Sequence, residues 1–160
     1  MINTQKHKTM NIADREVLRE NSQSQAIRVP VKLTNTLDEY FVEQGQLDPS
    51  QVHIYETEAK VDRNTVYTIL PREVMQTLDL MIRSQRPVII WDDGKQQIAD
   101  FSESFKIELL GRHTHLGAIV LGDEVVLGRI ALELLDLVVD EENRQVITNP
   151  AHPNGPVFRI

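Results

Sequence analysis

Asp62 opens the triplet Asp62-Arg63-Asn64, set between two stretches rich in strand-forming residues. A carboxylate at such a point can do general acid–base work if a second one comes close enough to share a proton with it. The same three residues are also ordinary polar turn material. His113 and His115 stand two apart in a strand-like stretch, so their side chains share one face. That spacing can serve a metal, but no third ligand is placed by the sequence, and a solvated strand face explains the pair better. Asp92 and Asp93 are adjacent in a turn before Gly94, which favours a structural role over acid–base chemistry. His53 and His152 are isolated, and Glu133, Asp136 and Asp140 read as solvated carboxylates of a helix and a turn. No Gly-rich phosphate loop, nucleophile elbow or basic aromatic patch is present, so no cofactor and no metal is expected.

Composition narrows the remaining classes. At 160 residues, 41% hydrophobic and 26% charged, the chain suits one globular domain with a single core. Seventeen basic against twenty-four acidic residues leave a net charge of −7, which argues against a nucleic-acid partner. The absence of cysteine removes disulfides, thiol nucleophiles and thiolate metal sites. No apolar run reaches the ~18 residues of a membrane span, and the N-terminus lacks a signal-peptide core. These features predict a cytoplasmic protein without a membrane partner.

The elements that would position Asp62 read as follows. Residues 1–25 are polar, with mixed charge and no sustained apolar period, and are expected to form a flexible tail; Asn11 and Asp14 could cap a short helix over Ile12 to Arg19. Ile27, Val29, Val31 and Leu33 alternate as a half-buried strand, and Pro30 predicts that it lies at a sheet edge. Leu37, Tyr40 and Phe41 follow helical spacing up to Gly45. Val52 to Val61 and Thr65 to Leu70 predict strands on either side of the triplet, with a helix carrying Val74, Leu78 and Met81 after Pro71. Pro87 to Trp91 predicts a strand, Asp93-Gly94 a two-residue hairpin turn, and Ala99 to Leu109 one long strand. His113 to Val120, Leu137 to Val139 and Val146 to Thr148 are further strands, with a short helix after Gly128. The Pro-rich stretch 150–160 predicts an irregular C-terminal tail.

Three segments carry more than periodicity. The first runs Ala59-Lys60-Val61-Asp62-Arg63-Asn64-Thr65-Val66-Tyr67-Thr68-Ile69-Leu70-Pro71; the second is Trp91-Asp92-Asp93-Gly94; the third is Val125-Val126-Leu127-Gly128-Arg129 with Leu132 to Asp140. In order and spacing they resemble the active-site strand, flap-hairpin tip and final helix and strands of small bacterial retropepsin-like aspartic proteases. Those proteins read Asp-Thr-Gly, a few residues, then Thr-x-Leu-Pro. The resemblance covers Ile27 to about Pro150. It implies an all-β, closed acid-protease barrel over 26–149 with two or three short helices. It also implies a homodimer in which each subunit contributes one Asp, here Asp62, to a shared site. Trp91, Asp92, Asp93 and Gly94 would then cover the groove, although a core position is the better reading of Trp91 taken alone.

Arg63 and Asn64 depart from that pattern. In the family the Thr hydroxyl braces the two loops across the dimer, and the Gly permits close backbone approach. Arg63 removes the hydroxyl and adds a permanent charge. Directed at the dyad, it would hold both carboxylates ionised and remove the general acid; directed away, it still leaves the brace missing. Asn64 tolerates φ > 0 but adds bulk. The expectation is a catalytically degenerate homodimer that binds a protein or peptide or acts in assembly. An active aspartic endopeptidase using the Asp62 dyad is the alternative, and a purely structural dimerisation module is a third.

Overall fold

The computed structural model describes residues 26–90 and 94–160, together with Ile12 and Ala13. Ile12 and Ala13 are helical and exposed; the rest of the expected tail over 1–25 lies outside the described residues, as do Trp91, Asp92 and Asp93.

Strand β1 (Arg28–Thr34) forms where the alternation predicts, burying Val29, Val31 and Leu33. It pairs antiparallel with β2 (Ile54–Val61), Val31 opposite Thr57. Pro30 suggested an edge, yet β1 is interior, flanked on its other side by β6 (Phe105–Leu109). The β6 ladder covers only Lys32 to Thr34, so Pro30 sits in the part of β1 paired on one side and its missing donor breaks no bond there. Helix α1 (Thr36–Glu43) is capped by Asn35, whose Oδ1 accepts from the Asp38 N–H at 3.0 Å. The Asn35 amide also donates to Leu78 O at 2.8 Å, tying the cap to the core. The helix buries none of its residues, and Leu37 and Tyr40 face solvent.

Strand β3 (Thr68–Leu70) is shorter than expected, because Thr65 to Tyr67 belong to the loop that leaves β2. Pro71 leads into α2 (Arg72–Thr77), which buries Val74 and Met75 and is followed by buried Leu78, whereas Met81 lies beyond it and is exposed. The hairpin of β4 (Ile82–Ile89) and β5 (Gln96–Ser102) exists as predicted, with Pro87 opposite Ile98. Its turn is wider than two residues: the Gly94 N–H reaches back to Ile90 O at 2.9 Å, and Gly94 adopts φ +65°.

The expected long strand from Ala99 to Leu109 is two strands. The chain bends at Glu103 and Ser104, where the Glu103 N–H donates to Met81 O at 2.8 Å and its carboxylate accepts from the Met81 N–H at 3.1 Å. This reciprocal pair pulls the backbone out of line, so β5 joins β4 while β6 joins β1. The stretch from His113 to Val120 is likewise divided into β7 (Arg112–Leu116) and β8 (Ala118–Val120) at Gly117, where a Cβ would lie 2.7 Å from the Phe101 ring and 2.8 Å from Ser102 O. Only glycine fits that approach. The β6–β7 turn is Leu110-Gly111, with φ of +50° and +74°, and Arg112 already belongs to the strand.

After β9 (Val126–Leu127) come α3 (Arg129–Leu135), β10 (Leu137–Asp140) and β11 (Gln145–Thr148); the last two form a small separate sheet. The main sheet runs β4-β5-β8-β3-β9-β2-β1-β6-β7. Over the described residues from 26 on, the fold is mostly β with three α-helices, as expected, but the main sheet does not close into a barrel: β4 and β7 are its two ends and do not pair with each other. The β7 end is covered otherwise. Arg112, buried, donates to Leu135 O at 3.1 Å, Asp136 O at 2.8 Å and His152 O, so α3 and the C-terminal stretch occupy that side. No helix among the described residues is long and apolar enough to cross a membrane.

The C-terminal stretch has no regular element, as expected, but it is tied down by Asp136, not a solvated carboxylate. Asp136 sits at φ +51° and accepts from Asn149 Nδ2 at 3.0 Å and the Val157 N–H at 3.2 Å, with His152 Nδ1 2.5 Å away. The Asn149 amide, then His152 and the Val157 N–H, hold the Asp136 carboxyl at about 2, against the opposing effect of burial.

A group depressed in the folded state contributes stability above its unfolded value of about 3.9 and loses it as pH falls toward the folded value. The amide signals of Asn149, Ala151 and Val157 should therefore shift together as pH falls below about 4, with Asp136→Asn removing that transition. Leu110 occupies a left-handed position of a primed turn that Asn fills at lower cost. Leu110→Asn should stabilise the fold by about 1 kcal/mol, seen as a melting temperature ~3 °C higher.

Candidate active site

The Asp62 loop is made by a topological insertion. β9 passes between β2 and β3, parallel to β2 (Val61 beside Leu127) and antiparallel to β3 (Ile69 beside Val126). The chain leaving β2 must cross the end of β9 to reach β3, and residues 62–67 make that crossing. Three backbone bonds fix it: the Asp62 N–H to Leu127 O at 3.0 Å, Arg129 N–H to Thr65 O at 2.7 Å, and Ile130 N–H to Val66 O at 3.1 Å. The last two satisfy N–H groups at the start of α3, which has no side-chain cap. Gly128 permits the approach, since a Cβ there would lie 2.4 Å from Tyr67 O and 2.7 Å from Thr65 O.

Within the crossing the half-buried Asp62 accepts from the Asn64 N–H (Oδ1, 3.0 Å) and the Thr65 hydroxyl (Oδ2, 2.9 Å). This is an Asx turn closed by a second donor, and it fixes the carboxylate against its own loop. Arg63 points away from Asp62: its Nη2 meets Glu141 Oε1 at 2.7 Å, in the turn between β10 and β11. Both side chains are 57% exposed, so the pair contributes at most ~1 kcal/mol. Of the two arrangements weighed for Arg63, the structure has the one directed away. Neither Arg63 nor Asn64 has positive φ, so the tolerance of Asn for that region is not used. A cleft of about 240 Å³ opens here, lined by Ile27, Val61, Asp62, Arg63, Glu141 and Arg144 among others.

A second cluster ties this loop to the β4–β5 hairpin. Arg86 of β4 donates to the Tyr67 hydroxyl at 2.6 Å and lies 4.0 Å above the Phe101 ring, while Tyr67 and Phe101 meet edge to face at 5.5 Å. These three residues escape a sequence reading, because only the hairpin's position over the loop brings them together. Spacing alone gives no signal for such a contact. Asp100 joins the same base, accepting from Arg72 at 2.8 Å and Gln85 at 3.2 Å, and the Arg72 bond first, then Gln85, lowers its pKa.

The other singled-out residues lie elsewhere. His113 and His115 share an exposed face of β7, with rings 6.2 Å apart, and no group of three or more metal-ligating side chains exists among the described residues. His53 and His152, read as isolated, each sit beside an aspartate, Asp38 at 2.7 Å and Asp136 at 2.5 Å. Of the expected flap residues only Gly94 is described.

No family model matches the chain, and no curated protein does. Among solved structures, the retroviral protease-like domain of Ddi1 from Leishmania major superimposes with a TM-score of 0.50, covering 84% of this chain and 94% of that one at 14% identity. The fold is retropepsin-like. At that identity the likeness is one of fold, and the retropepsin-like arrangement here carries Asp-Arg-Asn at the strand crossing.

The crossing sets a sharp test. Gly128→Ala drives a methyl into two backbone carbonyls that the β9 insertion holds in place, so it should cost ~3 kcal/mol or more, read as a lower urea midpoint with unchanged slope.

Proposed function

We propose that this retropepsin-like chain is a catalytically degenerate homodimer that holds an extended protein or peptide segment, as a binding or assembly factor. The observation that carries this reading is the β4–β5 hairpin. Pro87, Ile89 and Ile98 lie on one face of it, Pro87 directly across from Ile98, and Ile89 and Ile98 are 69% and 70% exposed. A contiguous apolar face on an otherwise acidic protein is a contact surface in want of a partner. The face is favoured over the free edge of β4. The Ile90 N–H donates inward to Lys95 O, so alternation turns the Pro87 nitrogen outward, where it offers no donor for strand addition. The Arg86–Tyr67–Phe101 cluster at the hairpin base would transmit occupancy of this face to the Asp62 loop. Against catalysis stand Arg63 and Asn64, which supply neither the hydroxyl brace nor the close approach that the family resemblance calls for.

One observation favours the alternative, an aspartic endopeptidase with an Asp62 dyad across the dimer. Arg63 is held by Glu141 and does not pair with its own Asp62, so the ion pair that would remove the general acid is absent within the chain.

A diverse peptide library incubated with the protein from pH 3 to 8 separates the two. The binding reading expects no Asp62-dependent cleavage, and peptide retention that falls at least tenfold in Ile89→Glu/Ile98→Glu. Cleavage abolished by Asp62→Asn would overturn it in favour of the peptidase. Restoring Arg63→Thr with Asn64→Gly should confer activity if those residues caused its loss, and a monomeric native mass would remove the dyad from both readings.

A further inference from the structure

A cavity of about 500 Å³, roughly twice the volume of the Asp62 cleft, opens between α1, the start of β4 and the bend at Glu103 and Ser104. Its volume falls in the range of small-molecule sites. It is distinct from the apolar face of the hairpin. Arg86, which lines it, and Pro87 are neighbours in an unbroken ladder, Arg86 opposite Ala99 and Pro87 opposite Ile98, so they project to opposite sides.

The walls are of two kinds. From α1 come Leu37 and Tyr40, both exposed, on a helix that buries none of its residues. From the hairpin come Arg83, Arg86 and Phe101. Arg86 is half-buried, donates to the uncharged Tyr67 hydroxyl at 2.6 Å and lies 4.0 Å above the Phe101 ring, and it forms no ion pair with any described carboxylate. A shielded guanidinium without a counter-ion favours an anion, because attraction there is screened less than at an open surface. Arg83 meets Glu103 through one nitrogen only, Nη2 to Oε2 at 3.4 Å, so most of its donors remain uncommitted.

The charges on the cavity wall narrow the choice of anion. Glu103 is fixed there, since its other carboxylate oxygen accepts the Met81 N–H at 3.1 Å. Two guanidinium groups against this one carboxylate leave +1, on a chain whose net charge is −7. A single negative charge is balanced in that setting, whereas a second would face Glu103 unpaired. Leu37 and Tyr40 call for a flat apolar body on the same molecule.

We propose that this cavity binds a small aromatic monocarboxylate, its carboxylate on Arg86 and Arg83 and its ring against Leu37 and Tyr40. Occupancy reaches the Asp62 loop through the bond between Arg86 and Tyr67. The site requires neither a partner on the hairpin face nor a catalytic dyad.

Indole-3-acetate titrated into the full-length protein should move the amide signals of Leu37 to Tyr40, Arg83 to Arg86 and Phe101 to Ser104 saturably, with half-saturation below ~1 mM. Indole-3-ethanol keeps the ring without the charge, acetate keeps the charge without the ring, and each should bind at least tenfold more weakly. Phenyl phosphate at pH 8, doubly charged, should bind more weakly than phenylacetate. Arg86→Gln should weaken indole-3-acetate at least tenfold and Tyr40→Ala, at an exposed position, at least threefold. Tyr67→Phe leaves the guanidinium in place and should bind within twofold of the parent. Should Arg86→Gln lose the native spectrum, Arg83→Gln takes its place with at least a threefold loss. Shifts that never saturate or that centre elsewhere, equal binding of indole-3-ethanol, tighter binding of phenyl phosphate, or unchanged affinity in the folded arginine variant would each overturn the proposal.

Discussion

The passage of β9 between β2 and β3 is the constraint on which the rest of this structure depends. Val126 and Leu127 pair with β2 and Val126 also with β3, and a loop must bridge over their end. Everything distinctive about Asp62 follows from that bridge. Its N–H is consumed by β9, its carboxylate by its own loop, and the carbonyls of the loop become the N-terminal cap of α3. A chain can vary much of its surface and keep this crossing, but it cannot place a side chain at Gly128.

The same crossing couples distant parts of the molecule. Tyr67 leaves the loop on the side facing β4 and β5, where Arg86 spans it and Phe101. Arg63 leaves on the opposite side and meets the β10–β11 turn. A six-residue loop thus touches both the hairpin and the small sheet, so displacement at either end is felt next to Asp62. The aromatic and guanidinium contacts are short and partly shielded, whereas the Arg63–Glu141 pair is open to solvent, so the hairpin side is the stiffer connection.

Strand positions with strict alternation were legible in the sequence, because burial on one sheet face imposes period two: β1, β2 and the β10–β11 hairpin stand where Ile27 to Leu33, Val52 to Val61 and Leu137 to Thr148 put them. The resemblance supplied the fold beyond that, and the structural likeness supports it. What failed had local causes that periodicity does not encode. The breaks at Glu103-Ser104 and at Gly117 interrupt alternation without shifting its phase, so two strands read as one in each case. Pro30 suggested an edge because a sequence does not show where a neighbouring ladder stops. Sheet closure depends on whether β4 meets β7, and Arg112 and α3 cover the β7 end instead. Asp136 looked solvated because its partners, Asn149, His152 and Val157, belong to a stretch with no pattern of its own.

The ladders differ greatly in how much chain each must close. β6 and β7 meet across the two residues Leu110 and Gly111, whereas Lys60 of β2 waits for Val126, sixty-six positions later. Loop closure is the slow part of assembling such pairings, so the hairpins form early and the Asp62 crossing forms late. On a ribosome adding ~5–20 residues per second, β2 and β3 exist for several seconds with an open seam between them, at the place β9 will fill. That seam is a transient, unpaired pair of strand edges in every nascent copy. Pairing of Val126 and Leu127 shuts it, and the bare backbone at Gly128 lets the loop close over their end.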